Sequence, residues 1–109
     1  MDTISEVTQA LIQFRDERDW AQFHNAKDLA LGLSIEAAEL NELFLWKQSD
    51  EVNRDRLKEE LADVFNYCLL IAEQQGLDLR EIALAKIQQN ARKYPVDKSK
   101  GSSRKYTEL

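Results

Sequence analysis

Two pairs of acidic residues interrupt the hydrophobic faces of two segments that have the pattern of helices. In the stretch SIEAAEL, Glu36 and Glu39 are three residues apart, so in a helix they project from the same side as the apolar residues. In EELADVF, Glu60 and Asp63 repeat this spacing, again in line with the apolar residues. Burying unpaired charge is costly, so the fold must supply these four carboxylates with a compensating partner.

The length and composition of the chain are typical of a single globular domain. The chain has 109 residues, a hydrophobic fraction of 43%, 3 Gly and 1 Pro. Its apolar runs are shorter than the roughly 18 residues of a membrane span, and the acidic start MDTISEV is unlike a secretory signal. A single cysteine, Cys68, cannot form an internal disulfide and fits a reducing compartment. We therefore expect a cytoplasmic protein with no membrane partner.

The charge is distributed unevenly along the chain. Residues 1–91 hold 9 Lys/Arg against 18 Asp/Glu, whereas residues 92–109 hold 6 against 2. An acidic body lacks the basic footprint that binding to polymeric nucleic acid requires. A small phosphorylated ligand remains compatible with such a body if a metal ion bridges the two.

Capping residues, helix-period apolar positions and a terminal glycine predict four helices and no strands. The predicted helices run from about Thr3, from Asn25 to about Trp46, from Asn53 to Gln75, and from Asp78 to Tyr94. Gly76 is the expected stop of the third helix, and Pro95 that of the fourth. The sequence predicts an all-α domain at residues 1–95, with a four-helix core, and a basic tail at residues 96–109.

Antiparallel packing of the second and third helices could bring the two acidic pairs together. Four converging carboxylates would repel each other unless a cation neutralised them. Hard oxygen ligands suit Mg²⁺ or Mn²⁺ and poorly suit Zn²⁺. The sequence therefore predicts a metal site made of Glu36, Glu39, Glu60 and Asp63.

Other interpretations of the acidic pairs are simpler or use another metal. The carboxylates could be solvated surface groups, and Glu39/Glu42 and Glu59/Asp63 are competing pairs. Glu42 and Glu59 lie off the apolar stripes, which favours a surface position for both. A di-iron bundle expects Glu-x-x-His, and the only histidine, His24, is outside both helices.

The segments EAAELNELFLW and EELADVFNY together resemble the Glu-x-x-Glu, Glu-x-x-Asp signature of the all-α nucleoside triphosphate pyrophosphohydrolases, the MazG-like superfamily. The segments RDWAQFH, FLWK, KIQQNARKYP and SSRKYTEL resemble its dCTP pyrophosphatase branch. This resemblance covers nearly the whole chain. It implies a four-helix MazG-like bundle assembled as a dimer or a dimer of dimers.

The resemblance also implies a reaction, in which water attacks the α-phosphate of a dNTP such as dCTP and releases a monophosphate and pyrophosphate. Glu36, Glu39, Glu60 and Asp63 match the Mg²⁺ ligands, and one of them can instead be the general base. Such an enzyme would clean or balance the nucleotide pool. The alternative is a nucleotide-binding or structural helical oligomer that kept the fold and lost turnover.

Substrate contacts are implied by the same resemblance. The positions that match nucleoside contacts are Trp20, Phe23, His24, Trp46 and Tyr67, and those expected at the phosphates are Lys86, Asn90 and Lys93, together with Arg104 or Lys105 of the tail. Without the family, the tryptophans would be assigned to a core or an oligomer interface, and the fourth helix to a solvated face. Leu11 stands where the branch can have a polar base-reading residue, so the preferred base stays open.

Overall fold

The computed structural model describes residues 3–109, and the regular elements within this range are all helical. The helices are α1 (Thr3–Glu17), α2 (Ala26–Glu42), α3 (Arg54–Gln74), α4 (Leu79–Lys93) and the single-turn α5 (Val96–Ser99). Short 3₁₀ turns occupy Ala21–Phe23, Ser49–Glu51 and Tyr106–Glu108. The prediction of an all-α protein with four main helices is confirmed, whereas its assembly state stays a prediction.

Three helices start at the polar residues that the sequence predicts as caps. The side-chain oxygens of Asn25, Asn53 and Asp78 each accept a hydrogen bond from the backbone N–H three residues on, at 2.9–3.1 Å. Gly76 follows α3 with a φ of 67°, a left-handed conformation that glycine adopts without steric cost. The predicted limits of α3 and α4 therefore agree with the structure to within about a residue, closer than helix ends are usually defined.

The predicted end of the second helix is wrong by four residues. α2 ends at Glu42, and the next N–H groups, from Leu43 to Leu45, bond to carbonyls three residues back at 3.1–3.3 Å. This tighter turn leaves Trp46 outside the helix with a φ of 62°. No glycine or proline marks the site, so the periodic apolar sequence NELFLW conceals the end of the helix.

Helices α1–α3 belong to the first of two compact units, which ends at Leu77. α3 is the central helix of this unit and packs against both α2 and α1. The buried apolar residues are few: Leu29, Leu43, Leu69, Leu70 and Ala72. α2 and α3 come unusually close at Gly32, where an added Cβ would lie 2.5 Å from Cε1 of Tyr67. Glycine at this position lets the Tyr67 ring lie against the backbone of α2.

The second unit, Asp78–Leu109, contains α4, α5 and the last 3₁₀ turn. Tyr106 packs edge-on against Tyr94, with ring centres 6.0 Å apart, and the Lys93 ammonium lies 4.9 Å from the Tyr106 ring centre. The residues predicted as a tail thus fold onto the end of α4. The predicted domain limit at residue 95 stays a prediction.

Among the described residues, no helix is both long enough and apolar enough to cross a bilayer.

Candidate functional site

Three of the four predicted metal ligands meet between α2 and α3. Glu36 lies in the middle of α2, and Glu60 and Asp63 face it from the first half of α3. One carboxylate oxygen from each lies within 4.8 Å of the other two. Glu60 is buried, with 8% of its surface exposed, although it carries a charged group. We refer to Glu36, Glu60 and Asp63 as the carboxylate cluster.

Glu39, the fourth predicted ligand, lies at the exposed edge of this cluster. Its carboxylate is near enough to Glu36 and Glu60 to act on the protonation of both. Glu42 and Glu59, the members of the competing pairs, are exposed and outside the cluster. The register predicted from the apolar stripes is therefore the one that the helices adopt.

The carboxylate cluster is an anionic site whose negative charges are only weakly compensated by neighbouring cations. The pKa of Glu36 is raised to about 7, first by burial and then by the nearby carboxylates of Glu39, Asp63 and Glu60. Burial also raises the pKa of Glu60, and the charge of Glu39 adds to this effect. One cation lies near the cluster: Nη2 of Arg56 is 3.8 Å from Glu60 Oε1, on a side chain that is largely exposed.

Buried oxygens without partners show that the cluster fits a metal ion. Oε2 of Glu36 and Oε2 of Glu60 are both inaccessible to solvent and form no hydrogen bond with a described residue. Such atoms are rare in native proteins because each one loses its hydration without compensation. An oxygen-binding divalent cation would satisfy both atoms and relieve the repulsion between the carboxylates. The described residues can therefore hold a metal ion at this position.

A cavity of about 370 Å³ opens beside the cluster. Glu36 and Asp63 form part of its wall, so a ligand in the cavity would reach the cluster directly. The remaining wall residues come from α1, the following turn and α3: Leu11, Phe14, Arg15, Trp20, His24, Asn66, Tyr67 and Leu70. Nδ1 of His24 is buried and has no hydrogen-bond partner among the described residues. The cavity thus combines aromatic walls, a free ring nitrogen and an acidic end.

Comparison with known proteins identifies the family. The MazG-like family model matches residues 31–109. The chain is 40% identical to dCTP pyrophosphatase 1 of Homo sapiens and 39% identical to that of Bos taurus, in each case covering 98% of this chain and 68% of the relative. This chain belongs to the MazG-like family. The family resemblance that the sequence motifs indicated is confirmed.

A solved structure supports the same assignment for this MazG-like chain. The crystal structure of a pyrophosphatase from Archaeoglobus fulgidus DSM 4304 superimposes with a TM-score of 0.80 at 36% sequence identity. The match covers 87% of this chain and 94% of the archaeal chain. The fold is therefore shared over most of both proteins.

Of the five nucleoside contacts that the MazG-like motifs imply, three line the cavity and two do not. Trp20, His24 and Tyr67 line the cavity. Phe23 and Trp46 do not line it and are 65% and 93% exposed. Their contact with a nucleoside stays a prediction.

The three expected phosphate contacts lie on α4, in the second unit. Lys86 donates a hydrogen bond to Gln89 Oε1 at 3.3 Å, and Lys93 stacks on Tyr106. Asn90 is exposed, as is Lys86. Their contact with phosphates also stays a prediction.

Five cavity residues were absent from the predicted contacts: Leu11, Phe14, Arg15, Asn66 and Leu70. Leu11 and Phe14 are three residues apart in the first helix, a spacing that by itself indicates an apolar packing stripe. Asn66 could have been found, because it follows Asp63 by three residues and so lies on the same side of α3. Arg15 gave no usable signal, since a charged residue near the end of a helix is usually solvated.

Proposed function

We propose that this MazG-like protein is a metal-dependent nucleotide pyrophosphohydrolase that converts dCTP, or a closely related nucleotide, to its monophosphate and pyrophosphate. One observation supports the proposal most directly: an aromatic-walled cavity opens onto a cluster of carboxylates in which Glu60 is buried and Glu36 is half-buried. The cavity can take a base and sugar while the acidic end, with bound metal, faces the polyphosphate. The dCTP pyrophosphatase 1 relatives support the choice of substrate.

Glu36, Glu60 and Asp63 would hold Mg²⁺, or Mn²⁺, with Glu39 completing the set from the cluster edge. When bound, the metal neutralises polyphosphate charge and supplies a water of lowered pKa. The carboxylates give the ion a fixed position beside the cavity, because they project from two packed helices and not from loops.

The aromatic wall residues would orient the nucleoside. Trp20 offers an indole face for stacking a base, and Tyr67 lies one turn beyond Asp63 on α3. The unpartnered Nδ1 of His24 can bond to a sugar hydroxyl or a base edge. These contacts would place the α-phosphate next to the carboxylate cluster.

Self-association with a second copy of the chain is part of the proposal. Leu31 and Ile35 on α2 are 59% and 54% exposed, and Leu61 and Phe65 on α3 are 56% and 41% exposed. Each pair has an i, i+4 spacing, so each forms an apolar stripe on its helix. Together with the small buried core, these stripes support a homodimer or homotetramer. The free, half-buried Cys68 is compatible with a cytoplasmic location.

The test is to incubate the purified protein with each dNTP and Mg²⁺ and to separate pyrophosphate from orthophosphate. We expect pyrophosphate in a single step, with dCTP the best substrate, and ¹⁸O from labelled water identifies the phosphorus attacked. Stepwise release of orthophosphate would reject this reaction. Nucleotide binding without turnover would favour a non-catalytic binding protein.

A further inference from the structure

Arg15 is a largely buried cation in the cavity wall that the family motifs do not include. Its side chain is only 13% exposed. Nη1 donates a hydrogen bond to Glu73 Oε2 at 2.7 Å, and Nε donates one to Asp16 Oδ1 at 2.9 Å. The bond to Glu73 ties α1 to α3, and the two bonds together hold the guanidinium plane in one orientation. The remaining three N–H donors, including both on Nη2, have no acceptor among the described residues.

The charges around Arg15 argue against a phosphate-binding role. The groups that act on its protonation are Asp16 and Glu73, two carboxylates against one guanidinium. The local balance is therefore negative, which disfavours a polyphosphate. Glu36 and Asp63 of the carboxylate cluster line the same cavity, but neither forms a hydrogen bond or an ion pair with Arg15. A neutral ligand with hydrogen-bond acceptors fits this environment, because the guanidinium still offers fixed donors.

Asn66 provides a second polar group on the same cavity wall. It lies on α3, and its side chain forms no hydrogen bond with any described residue. Its amide can accept and donate simultaneously. Arg15 and Asn66 together thus present several donors and one acceptor to a flat ligand stacked in the cavity.

We propose that Arg15 is a specificity-determining residue that donates hydrogen bonds to O2 and N3 of a cytosine ring, while the Asn66 amide oxygen accepts from the 4-amino group. Cytosine carries two acceptors beside this amino group. In thymine and uracil, N3 carries a hydrogen and would face another donor, leaving buried donors unpaired. The inference rests on the nucleotide pyrophosphohydrolase function proposed above and assigns base selection within that site.

The test measures base selectivity separately from chemistry. Wild type, Arg15→Lys and Asn66→Leu are compared in kcat and KM for dCTP and dTTP, and in binding of dCMP and dTMP followed by NMR titration. Arg15→Lys keeps the charge and the partner Glu73 but loses the planar set of donors. Arg54→Lys makes the same change at an exposed arginine and serves as the matched control. Circular dichroism checks that each variant is folded.

We expect Arg15→Lys to lower kcat/KM for dCTP on the order of 10-fold, mainly through KM, and to leave dTTP nearly unchanged. Asn66→Leu should move selectivity in the same direction, and Arg54→Lys should not. Equal losses for dCTP and dTTP would assign Arg15 to phosphate binding or to structure and overturn the inference. The inference would also be overturned if wild type bound dCMP no better than dTMP. The same holds if both variants kept the wild-type preference for dCMP. The NMR titrations with dCMP and dTMP test base selection by Arg15 even if no nucleotide is hydrolysed.

Discussion

The charged side chains of α2 and α3 and those of α4 differ in whether their polar atoms have interaction partners. Glu36 and Glu60 each bury an oxygen that has no partner among the described residues. On α4, Lys86 is exposed and bonds to Gln89, and Lys93 stacks on Tyr106. The unsatisfied buried oxygens of the first pair indicate a site that can hold a cation. These two charged side chains on α4 already have partners, so they give no sign of a ligand site by themselves.

The largest expected effect comes from neutralising the carboxylate cluster. Glu36→Gln or Asp63→Asn should lower turnover on the order of 100-fold or more, because each removes an expected metal ligand. The melting temperature of the metal-free protein should hold or rise, since repulsion among the carboxylates falls. Steady-state kinetics and thermal unfolding provide the two readouts. Glu59→Gln, an exposed glutamate on α3, is the control, and full activity in the cluster variants would remove the cluster from the mechanism.

A second prediction concerns the close approach of α2 and α3 at Gly32. An alanine Cβ would meet the Tyr67 ring, so Gly32→Ala should displace the ring and raise KM several-fold. Alanine is a better helix former by about 1 kcal/mol, whereas overpacking costs about 1–3 kcal/mol, so the net change in stability should be a small loss. Kinetics and denaturant unfolding measure the two effects. Ser34→Ala, at an exposed position of the same helix, should change neither, and an unaltered KM in Gly32→Ala would show that the ring position is unimportant.

The third prediction is a pH dependence of the metal-free protein. The folded-state pKa of Glu36 is raised from 4.5 to about 7, so the folded protein retains a proton that the unfolded chain releases. Stability from this residue is fully present below pH 4.5 and is lost as the pH rises through about 7. We expect the melting temperature to fall by roughly 10 °C across this window.

Thermal scans with a chelator at several pH values measure this dependence. Glu36→Gln should flatten it, and excess Mg²⁺ should weaken it by stabilising the ionised carboxylates. A melting temperature that rises between pH 5 and 7 in the chelated wild type would contradict the assigned sign.

The smallest effect is expected at the end of α4. Tyr106→Ala removes the edge-on contact with Tyr94 and the stacking of Lys93, which together contribute about 1 kcal/mol at an exposed site. Turnover should be nearly unchanged, because Tyr106 is not part of the carboxylate cluster or of the cavity wall. Tyr106→Phe retains both ring contacts and should behave as wild type. A loss of activity comparable with that of Glu36→Gln would abolish the contrast between the two regions.

Much of the local structure could be read from the sequence because its causes are local. Asn25, Asn53 and Asp78 cap helices through hydrogen bonds to N–H groups three residues away. Gly76 ends α3 because it alone adopts the required backbone angle at low cost. The register of the acidic pairs followed from helical periodicity. The end of α2 could not be read, since NELFLW continues the helical pattern through the turn that carries Trp46.

By itself, the sequence determined the all-α class, the family and the acidic pairs that α2 and α3 bring together. Spacing along one helix decides the class and the acidic pairs, because a helix imposes the same geometry wherever it packs, whereas the family follows from the resemblance of whole motifs. The tertiary structure alone decided which side chains enclose the cavity. Arg15 is 58 positions from Glu73 along the chain, and only the packing of α1 on α3 brings them to 2.7 Å. That packing turns an ordinary surface charge into a buried, fixed donor, because its partner and its burial come from another helix.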